Sequence, residues 1–371
     1  MNTASTISYR LTQPFHIEAV EQELKRARPA DVLVRPRVTG VCASDLKLYA
    51  GTRDRQALSR KLPLALLHEG IAEVVEPGSG TGAIRPGTRV AVVPNIPCYI
   101  AHPDRFPSKD DACPACRPGG AGENYCLHHL FLSSNTDGMA QSTFFHPGAL
   151  VVPVPTDVPD RIAALTEPLT TILAGCEKAP LTAGSHYLIL GNGPIGLLVA
   201  VCLTGFYAVA RDAICMTGHD WENRRSYAGL VGSVLDAEDR EGLAALRGRI
   251  DVAFECVGGD ANAQTLEQAV DCLKPGGTAV LFGPSEKSVL FNTRDMIGKG
   301  LSFVGANRSF VRHFRTVLER MRDPEVQRQL AVVLSPAEFA VRTAEDLNRT
   351  LYQAWTKRLA GKTIMAWAGP E

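Results

Sequence analysis

The chain has 371 residues, more than one ordinary hydrophobic core needs, and this length predicts two domains of roughly 150–200 residues each. Apolar residues make up 45% of the sequence and charged residues 21%, which is typical of globular proteins and excludes a disordered chain. The 39 basic side chains balance the 39 acidic ones, and this zero net charge excludes binding to nucleic acid or to anionic membranes through overall charge.

The sequence indicates neither a targeting segment nor a membrane span. The first ten residues are polar, unlike the apolar centre of a secretory signal. The longest apolar run, residues 187–204, contains three glycines and a proline, which a membrane span does not favour. We therefore expect a cytoplasmic protein whose ten cysteines are thiols or metal ligands rather than a disulfide framework.

The first part of the chain, which we place at residues 1–158, has the pattern of a β-rich domain. Residues 31–38 alternate apolar and polar side chains, and residues 89–93 form a short apolar run after a turn. Residues 96–126 are rich in proline, glycine and cysteine, which predicts a loop. Residues 151–159 have the composition of a linker that ends this domain.

The second predicted domain, residues 159–306, alternates strands and helices. The strand candidates are residues 186–190, 213–217, 233–236, 251–256, 277–282 and 301–304. Alternating β and α segments predict an α/β fold with a doubly wound parallel sheet. Before the first strand, Pro168 disfavours helical backbone at the preceding residue, so we expect Glu167 to lie at a helix break.

The last segment, residues 307–371, is predicted to return to the first domain. It contains one clear helical pattern, residues 310–322, and a strand-like run at residues 362–367. The sequence thus predicts that the α/β domain interrupts the β-rich one.

A glycine-rich segment joins the first strand of the second domain to a helix. Gly191, Gly193 and Gly196 form the pattern G-x-G-x-x-G, with Pro194 and Ile195 between the last two glycines. Glycines allow a tight turn and a close approach of a pyrophosphate, which the positive end of the helix dipole then faces. Because an apolar strand precedes the pattern and an apolar helix follows it, the segment predicts a dinucleotide-binding turn.

The end of the next strand bears on the choice between NAD and NADP. An acidic residue usually stands there to bind the ribose 2′-hydroxyl of NAD, but the corresponding positions are Gly218 and His219. The residues that can instead hold the 2′-phosphate of NADP are Thr217, His219, Arg224 and Arg225. The nearby acids Asp220 and Glu222 keep NAD as the alternative.

The β-rich domain carries residues suited to a catalytic metal. Cys42 and His68 come from separate loops and can offer a thiolate and an imidazole, and Glu69 adds an adjacent carboxylate. Glu167, at its expected helix break, is a second candidate carboxylate. Such a set is typical of a zinc site that leaves one position open for chemistry. Asp45 is a natural hydrogen-bond partner for one of the ligands.

Four further cysteines cluster in the predicted loop. They are Cys98, Cys113, Cys116 and Cys126. Four thiolates in one loop can close a tetrahedral structural zinc site. The spacing between them is irregular, and the histidines that could replace one of them are His102, His128 and His129.

The order of these segments resembles the zinc-dependent medium-chain alcohol and polyol dehydrogenases. The segments that carry the resemblance are GVCASD at 40–45, HEG at 68–70, the cysteine loop, TEP at 166–168, GNGPIG at 191–196 and FECVGG at 254–259. The resemblance covers nearly the whole chain. It implies a GroES-like catalytic domain at 1–158 and 307–371 and a Rossmann domain at 159–306.

The same resemblance implies roles for individual residues. It implies a catalytic zinc on Cys42, His68 and either Glu69 or Glu167, and a proton relay through the hydroxyl of Ser44. It also implies later cofactor contacts at Cys256, Val257, Gly258 and Gly283.

Within this family, several segments resemble the bacterial ribulose-5-phosphate reductases. They are GTRD at 51–54, LSRKLP at 58–63, FECVGG at 254–259, NTR at 292–294 and KGL at 299–301. This resemblance implies NADP(H)-dependent reduction of ribulose 5-phosphate to ribitol 5-phosphate by a homodimer or homotetramer, and it names a cytidylyltransferase as the candidate partner. The candidate cations for the substrate phosphate are Arg53, Arg55, Lys61 and Arg308.

Two alternatives remain open at this point. The cysteine loop and the segment TEPLT at 166–170 are closer to the general polyol dehydrogenases, so an NAD(P)-dependent polyol, threonine or other secondary-alcohol dehydrogenase is the first. The second is a non-catalytic dinucleotide sensor, which the presence of all the candidate zinc ligands disfavours.

Overall fold

The structure is a computed structural model that describes residues 4–53, 58–219, 227, 229–290, 292–357 and 359–368. The strands, in chain order, are β1 Ala4–Gln13, β2 His16–Leu24, β3 Asp31–Gly40, β4 Leu64–Ala65, β5 Glu69–Glu76, β6 Arg89–Val92, β7 Asn95–Ile96, β8 Leu130–Phe131, β9 Phe144–Pro147, β10 Val151–Pro153, β11 Tyr187–Leu190, β12 Ile214–Gly218, β13 Ser233–Asp236, β14 Ile250–Glu255, β15 Leu273–Leu281, β16 Ser302–Gly305, β17 Phe339–Val341 and β18 Ile364–Trp367.

The α-helices are α1 Ala43–Tyr49, α2 Cys98–Ala101, α3 Asp160–Ala163, α4 Thr166–Cys176, α5 Pro194–Phe206, α6 Arg240–Ala245, α7 Asn262–Cys272, α8 Thr293–Lys299, α9 Val311–Arg320, α10 Pro324–Val333 and α11 Ala344–Thr356. Across the described part of the chain, none of them combines the length and the apolar character that crossing a membrane requires.

The chain forms two compact units. Unit 1 comprises Met1–Glu167, Arg308–Arg322 and Ser335–Glu371, and unit 2 comprises Pro168–Asn307 and Asp323–Leu334. The C-terminal segment therefore contributes to both units, because α10 belongs to unit 2.

Unit 1 is built around a mixed sheet with the strand order β10-β6-β5-β3-β18-β17, in which β9 also pairs with β3. A second, three-stranded sheet has the order β2-β1-β4. β3 is buried along almost its whole length, since it lies between β5 and β18. The apolar side chains of these strands share one core with those of α1 and α11.

Unit 2 is a parallel sheet with the order β13-β12-β11-β14-β15-β16. Counted from β11, this is the order 3-2-1-4-5-6 of a doubly wound Rossmann sheet. In such sheets ligands bind beyond the carboxyl ends of the strands, where the winding direction reverses, and that point lies between β11 and β14. The structure thus confirms the α/β fold class and the parallel sheet.

The helix break near Pro168 lies earlier than expected. α3 ends at Ala163 and α4 begins at Thr166, so Glu167 is helical rather than outside a helix. Proline is tolerated there because the first turn of a helix does not need its N–H group for an internal hydrogen bond.

The C-terminal segment contains more helix than the sequence predicted. The predicted helix at 310–322 corresponds to α9, whereas α10 and α11 were not predicted. Both begin with a side-chain cap, from Asp323 and Thr343 respectively, and these caps are the sequence signals that could have identified them.

Candidate active site

Strand register brings Cys42, His68 and Glu69 together, and we call these three residues the Cys42 cluster. β3 ends at Gly40, just before Cys42, and β5 begins at Glu69, directly after His68. Gly40 pairs with Glu69 in the antiparallel β3–β5 ladder, so the two loops leave the sheet side by side. As a result, one potential ligand atom from each of the three side chains lies within 4.8 Å of the others.

His68 is held at its Nδ1 atom by a hydrogen bond and by an ion-pair contact. Ser133 Oγ lies 2.7 Å from Nδ1, and Asp45 Oδ1 lies 3.5 Å from it. Asp45 also accepts the backbone N–H groups of Cys42 and Leu67, each at 3.2 Å. The second bond supports Leu67 in a strained left-handed conformation with φ 74°. Because Nδ1 is engaged, Nε2 is the nitrogen that His68 can offer to a metal.

The same environment affects the protonation of His68. Burial alone lowers the pKa of the imidazole, but the negative charge of Asp45 more than offsets this and raises the pKa well above its usual value. Asp45 therefore has the position that the sequence analysis gave it, beside a candidate ligand.

Glu69 forms a buried ion pair with Lys362, which the sequence analysis did not identify. Lys362 Nζ lies 2.7 Å from Glu69 Oε1 and 2.5 Å from Oε2. The two residues are only 5% and 2% exposed. The register of β18 explains the encounter, because Ile364 pairs with Gly40 and so brings Lys362 to the end of β3. A Cβ atom at Gly40 would lie 2.6 Å from Glu69 Oε2, so only glycine leaves room for the pair.

Glu167 lies near the Cys42 cluster but is not one of its members. It is 7% exposed in the first turn of α4. Burial raises its pKa to about 7, with a further rise from the charge of Glu69 and opposing contributions from His68 and Lys362. Within the described ranges, the structure brings Glu69 rather than Glu167 within 4.8 Å of the thiol and the imidazole.

The donors of the Cys42 cluster suit a zinc ion. One sulfur, one nitrogen and one carboxylate oxygen are all common zinc ligands, and three protein ligands leave a fourth position open. Cys42 is partly exposed at the N-cap of α1, whereas His68 and Glu69 are buried. Ser44, the predicted proton relay, lies in the first turn of α1 and is half-buried.

Two of the predicted phosphate-binding cations are neighbours. Lys61 Nζ donates to Ser134 Oγ at 3.2 Å, and Ser134 follows the serine that contacts His68. Burial and the positive charge of Arg53 lower the pKa of Lys61. Arg53 Nε is buried, and no hydrogen-bond acceptor reaches it from the described part of the chain. Two adjacent cations, one with an unsatisfied donor, favour a bound anion. Arg55 lies outside the described residues.

Arg308, the third predicted cation, lies beside the cysteine loop. It has φ 58°, and its Nε and Nη1 atoms are buried without a hydrogen-bond partner among the described residues. Burial lowers the pKa of its guanidinium, while Cys126 and Tyr125 have the opposite effect. Together with burial, its charge lowers the pKa of His129.

The four cysteines of the predicted structural site converge. Cys98, Cys113, Cys116 and Cys126 are all buried, and their sulfur atoms lie within 4.8 Å of one another. The sulfur atoms of Cys113 and Cys126 are 3.7 Å apart. Zinc–sulfur bonds of about 2.3 Å place the sulfurs of a tetrahedral site ~3.8 Å apart. The donor set therefore fits a closed, four-thiolate zinc site without any of the three histidines considered as substitutes.

Backbone N–H groups reinforce this arrangement. The amide of Cys98 donates to Cys126 Sγ at 3.3 Å, and the amide of Cys113 donates to Cys98 Sγ at 3.4 Å. Burial opposes ionisation of Cys113, but hydrogen bonds from the backbone at Leu127 and Cys116 lower its pKa to about 6. These groups stabilise negative charge on the sulfur of Cys113, whereas burial raises the pKa of Cys116 and of Cys126. Metal binding requires the deprotonated thiolates.

In unit 2, the glycine-rich segment forms the expected turn. β11 ends at Leu190, and α5 begins at Pro194 after the N-cap residue Gly193. Gly191 has φ 109°, and a Cβ atom at Gly196 would lie 1.9 Å from the Gly191 carbonyl oxygen. The turn therefore requires glycine at both positions, and it places an open helix N-terminus beyond the carboxyl end of β11. Ile195 lies in the first turn of α5.

At the end of β12, Asn192 occupies the space that a side chain at Gly218 would need. A Cβ atom at Gly218 would lie 2.1 Å from the Cγ atom of Asn192. Asn192 is fixed there because its Nδ2 donates to the carbonyl oxygen of His219 at 2.7 Å. Of the candidates for a 2′-phosphate, His219 is exposed, whereas Thr217 is 2% exposed. The remaining residues named for this role, Arg224 and Arg225, and the acids Asp220 and Glu222 lie outside the described residues.

The other predicted cofactor contacts lie at the carboxyl ends of β14 and β15. Cys256 and Val257 follow β14, and Gly283 follows β15. Val257 is 44% exposed, a high value for an apolar side chain. Gly258 has φ 64°, and a Cβ atom on Gly283 would lie 2.3 Å from the Gly258 nitrogen. The two loops therefore pack closely on the side of the sheet where the glycine turn also lies.

Lys362, Ser133 and Asn192 were missed because their roles depend on tertiary contacts. Lys362 lies 293 residues from its partner along the chain, and Ser133 lies 65 residues from His68. Contacts between residues so far apart in the sequence leave no pattern of local spacing from which they could be predicted. Asn192 lies within the glycine pattern itself, so its position between two glycines was the one available signal.

Comparison with known proteins agrees with this architecture. A family model for the alcohol dehydrogenase GroES-like domain matches residues 28–156, and a model for zinc-binding dehydrogenases matches residues 203–323. Ribulose-5-phosphate reductase 1 of Staphylococcus aureus is 33% identical over 341 residues, which cover 91% of this chain and 92% of that protein. The ribulose-5-phosphate reductase of Streptococcus pneumoniae is 29% identical over 97% of this chain and 96% of its own length.

A solved structure extends the comparison. The crystal structure of S. aureus TarJ in complex with NADPH is 27% identical and superimposes with a TM-score of 0.78, covering 98% of this chain and 100% of that one. Because both family models match and the relatives align over almost the full length, this chain belongs to the family of zinc-binding alcohol dehydrogenases with a GroES-like domain and is an oxidoreductase.

Proposed function

We propose that the protein is a zinc-dependent oxidoreductase that uses NADP(H) to reduce a ketose phosphate, with ribulose 5-phosphate as the first candidate. The observation that carries the proposal is Lys61, which donates to Ser134 in the loop that orients His68 and whose pKa is lowered by burial and by the charge of Arg53. The names of two relatives and the NADPH of TarJ support the same substrate and cofactor. The reaction runs toward the polyol phosphate when NADPH is the donor.

Cys42, His68 and either Glu69 or Glu167 would hold the catalytic zinc. When bound, zinc supplies Lewis acidity to the substrate carbonyl and NADPH supplies the hydride. Ser133 and Asp45 hold Nδ1 of His68, so Nε2 is the nitrogen that would bind the zinc.

The hydroxyl of Ser44 would deliver a proton to the oxygen of the reduced carbonyl. Its place in the first turn of α1 and its partial exposure leave it accessible to substrate and solvent.

The substrate phosphate would bind between Arg53 and Lys61. A charge-assisted hydrogen bond contributes about 1.5–3 kcal/mol, so two such contacts can position the carbonyl with substantial binding energy. That energy favours catalysis when it fixes the reacting group rather than only retaining the substrate. Arg308 is a further candidate, since two of its nitrogens have no hydrogen-bond partner among the described residues.

The preference for NADP(H) is supported by the crowding at Gly218. An acidic side chain that would bind the ribose of NAD cannot enter while Asn192 occupies that space. His219, Arg224 and Arg225 remain the residues proposed to face the 2′-phosphate.

The test compares ribulose 5-phosphate with ribulose, using NADPH and NADH in parallel. We expect the unphosphorylated sugar to lose at least ~100-fold in kcat/KM, which corresponds to two ordinary phosphate contacts. Arg53→Ala and Lys61→Met should reproduce much of this loss with the phosphate and little of it with ribulose. Lys25→Met, which removes an exposed lysine, is the matched control. Equal turnover of both sugars would favour the polyol dehydrogenase alternative.

The role of zinc has its own test. Cys42→Ala should abolish turnover and lower the zinc content while NADPH binding stays close to that of the parent. Full activity of this variant, or of metal-stripped protein, would exclude the proposed site. The homodimeric or homotetrameric state and the cytidylyltransferase partner stay predictions from the resemblance.

A further inference from the structure

We infer that Glu255 is a positioning residue that holds the two loops beyond β14 and β15 in place beside the Gly191 turn, and thereby sets the affinity for the nicotinamide cofactor. The inference rests on the proposed cofactor binding and assigns a role that the sequence motifs did not. Glu255 is the last residue of β14 and is 0% exposed.

The side chain of Glu255 accepts hydrogen bonds from both loops. Its Oε1 atom accepts the backbone N–H groups of Val257 and Gly258, each at 2.9 Å. Its Oε2 atom accepts the backbone N–H of Gly283 at 3.2 Å. Thr265 Oγ1, on α7, lies 3.0 Å from Oε1. One side chain thus links the end of β14, the end of β15 and the following helix.

This arrangement requires an acceptor with two oxygens. A carboxylate accepts at both of its oxygens, whereas an amide offers one oxygen and an NH₂ group that would face a backbone N–H. A buried backbone N–H without a partner is costly, so losing one oxygen should release one loop. The glycine at position 283 is needed for this contact, because a Cβ atom there would lie 2.5 Å from Glu255 Oε2.

The loop after β14 also forms one wall of the Gly191 turn. The Cγ2 atom of Val257 lies 2.8 Å from the position of a Cβ atom at Gly191. The backbone N–H of Cys256 donates to the Leu190 carbonyl oxygen at 3.0 Å, and this bond connects the ends of β14 and β11. A displaced loop would therefore alter the surface that the Gly191 turn and Val257 form together. For this reason Glu255 should affect the affinity for the cofactor without contacting the cofactor itself.

The experiment measures dissociation constants for NADPH and NADH on the zinc-loaded, full-length protein by fluorescence titration. The variants are Glu255→Gln, Glu255→Asp and the control Asp260→Asn. Asp260 is a negative residue of the same loop region, but it is exposed and contacts Lys287 rather than the loop amides. Hydrogen exchange of the amides at 257, 258 and 283, without nucleotide, reports directly on the loops.

We expect Glu255→Gln to weaken NADPH binding by at least ~10-fold, which corresponds to one lost hydrogen bond to a charged acceptor. Exchange at 283, or at 257 and 258, should accelerate in the same variant. Glu255→Asp keeps the charge but is one methylene shorter, so it should also fail to reach both loops and should weaken binding. Asp260→Asn should bind like the parent, and the zinc content of every variant should be unchanged because the candidate zinc ligands lie in unit 1.

Several results would overturn the inference. Parent-like affinity of Glu255→Gln, unchanged exchange at the three amides, or an equal effect of Asp260→Asn would each do so. A parent protein that binds neither nucleotide would overturn the proposed function as well. If Glu255→Gln lowers the melting temperature but leaves both dissociation constants unchanged, Glu255 has only a structural role and the inference fails.

Discussion

The buried ion pair between Lys362 and Glu69 gives the most informative test of the metal site. Lys362→Met keeps most of the volume of the side chain but leaves the Glu69 carboxylate buried at 2% exposure without its cation. Removing one partner of a buried pair costs about 3–5 kcal/mol. For a domain of this size that corresponds to a melting temperature lower by about 10 °C.

The loss should depend on zinc. If the ion binds Cys42, His68 and Glu69, it replaces the lost positive charge, and the zinc-loaded variant should lose less stability than the metal-free variant. By linkage, any stability that zinc recovers appears as tighter zinc binding. A recovery of about 2 kcal/mol would raise the zinc affinity ~30-fold.

The measurement is thermal or urea unfolding of the parent and Lys362→Met, each with and without zinc, together with a chelator competition for zinc affinity. Lys357→Met, which removes an exposed lysine, serves as the control. An equal loss of stability with and without zinc would mean that Glu69 is not next to the metal. A loss below about 1 kcal/mol in the metal-free protein would contradict the reasoning from burial.

Three further predictions follow from other parts of the structure. Metal analysis should find two zinc ions per chain, and Cys113→Ser should release one of them and lower the melting temperature, whereas an unchanged metal content would show that the cysteine loop binds none. Gly218→Asp alone should lose affinity for both nucleotides because its side chain would clash with Asn192. The double variant with Asn192→Gly should recover NADH binding more than NADPH binding. Equal affinities of the single and double variants would refute the steric argument. Burial would raise the pKa of Asp160, but its two arginine partners lower it below 3.8, so the stabilisation is present at pH 7 and lost as the pH falls through that lower pKa. The melting temperature of Asp160→Asn should accordingly lie below that of the parent at pH 7, and the difference should shrink as the pH is lowered below 3.8. A deficit independent of pH would exclude the ion pair as its cause.

The doubly wound sheet could be predicted because its signals are local. Each strand is an apolar run of a few residues next to a turn, and β11, β12 and β13 lie within one or two residues of their predicted positions. β15 begins at Leu273, earlier than predicted. The prediction missed its first residues because they include a proline and two glycines, which are uncommon inside strands. The helices α10 and α11 were missed although the sequence carries signals for both. Val326, Leu330 and Val333 follow helical spacing in α10, as do Leu347, Leu351 and Ala354 in α11. A side-chain cap also begins each helix.

The candidate site could be predicted in its chemistry but not in its supporting contacts. Cysteine, histidine and acidic residues can be recognised as candidate metal ligands from their residue type and their place in the sequence. The Cys42 cluster and the four loop cysteines were predicted on that basis. Lys362 and Glu255 have no such signature. A lysine or glutamate is usually a solvated surface residue, and only the strand register shows that these two are buried against specific partners.

The distance along the chain between Glu69 and Lys362 has a consequence for synthesis of the protein. The two residues are 293 positions apart, and all of Pro168–Asn307 is made between them. At 5–20 residues per second, a ribosome needs roughly 15–60 s to cover that interval. Throughout this time the nascent chain contains Cys42, His68 and Glu69, but Lys362 and β18 have not yet been synthesised. A metal ion that binds during translation would therefore meet a Glu69 carboxylate without the positive charge of Lys362 beside it. The affinity of the nascent chain for the metal should accordingly differ from that of the folded enzyme.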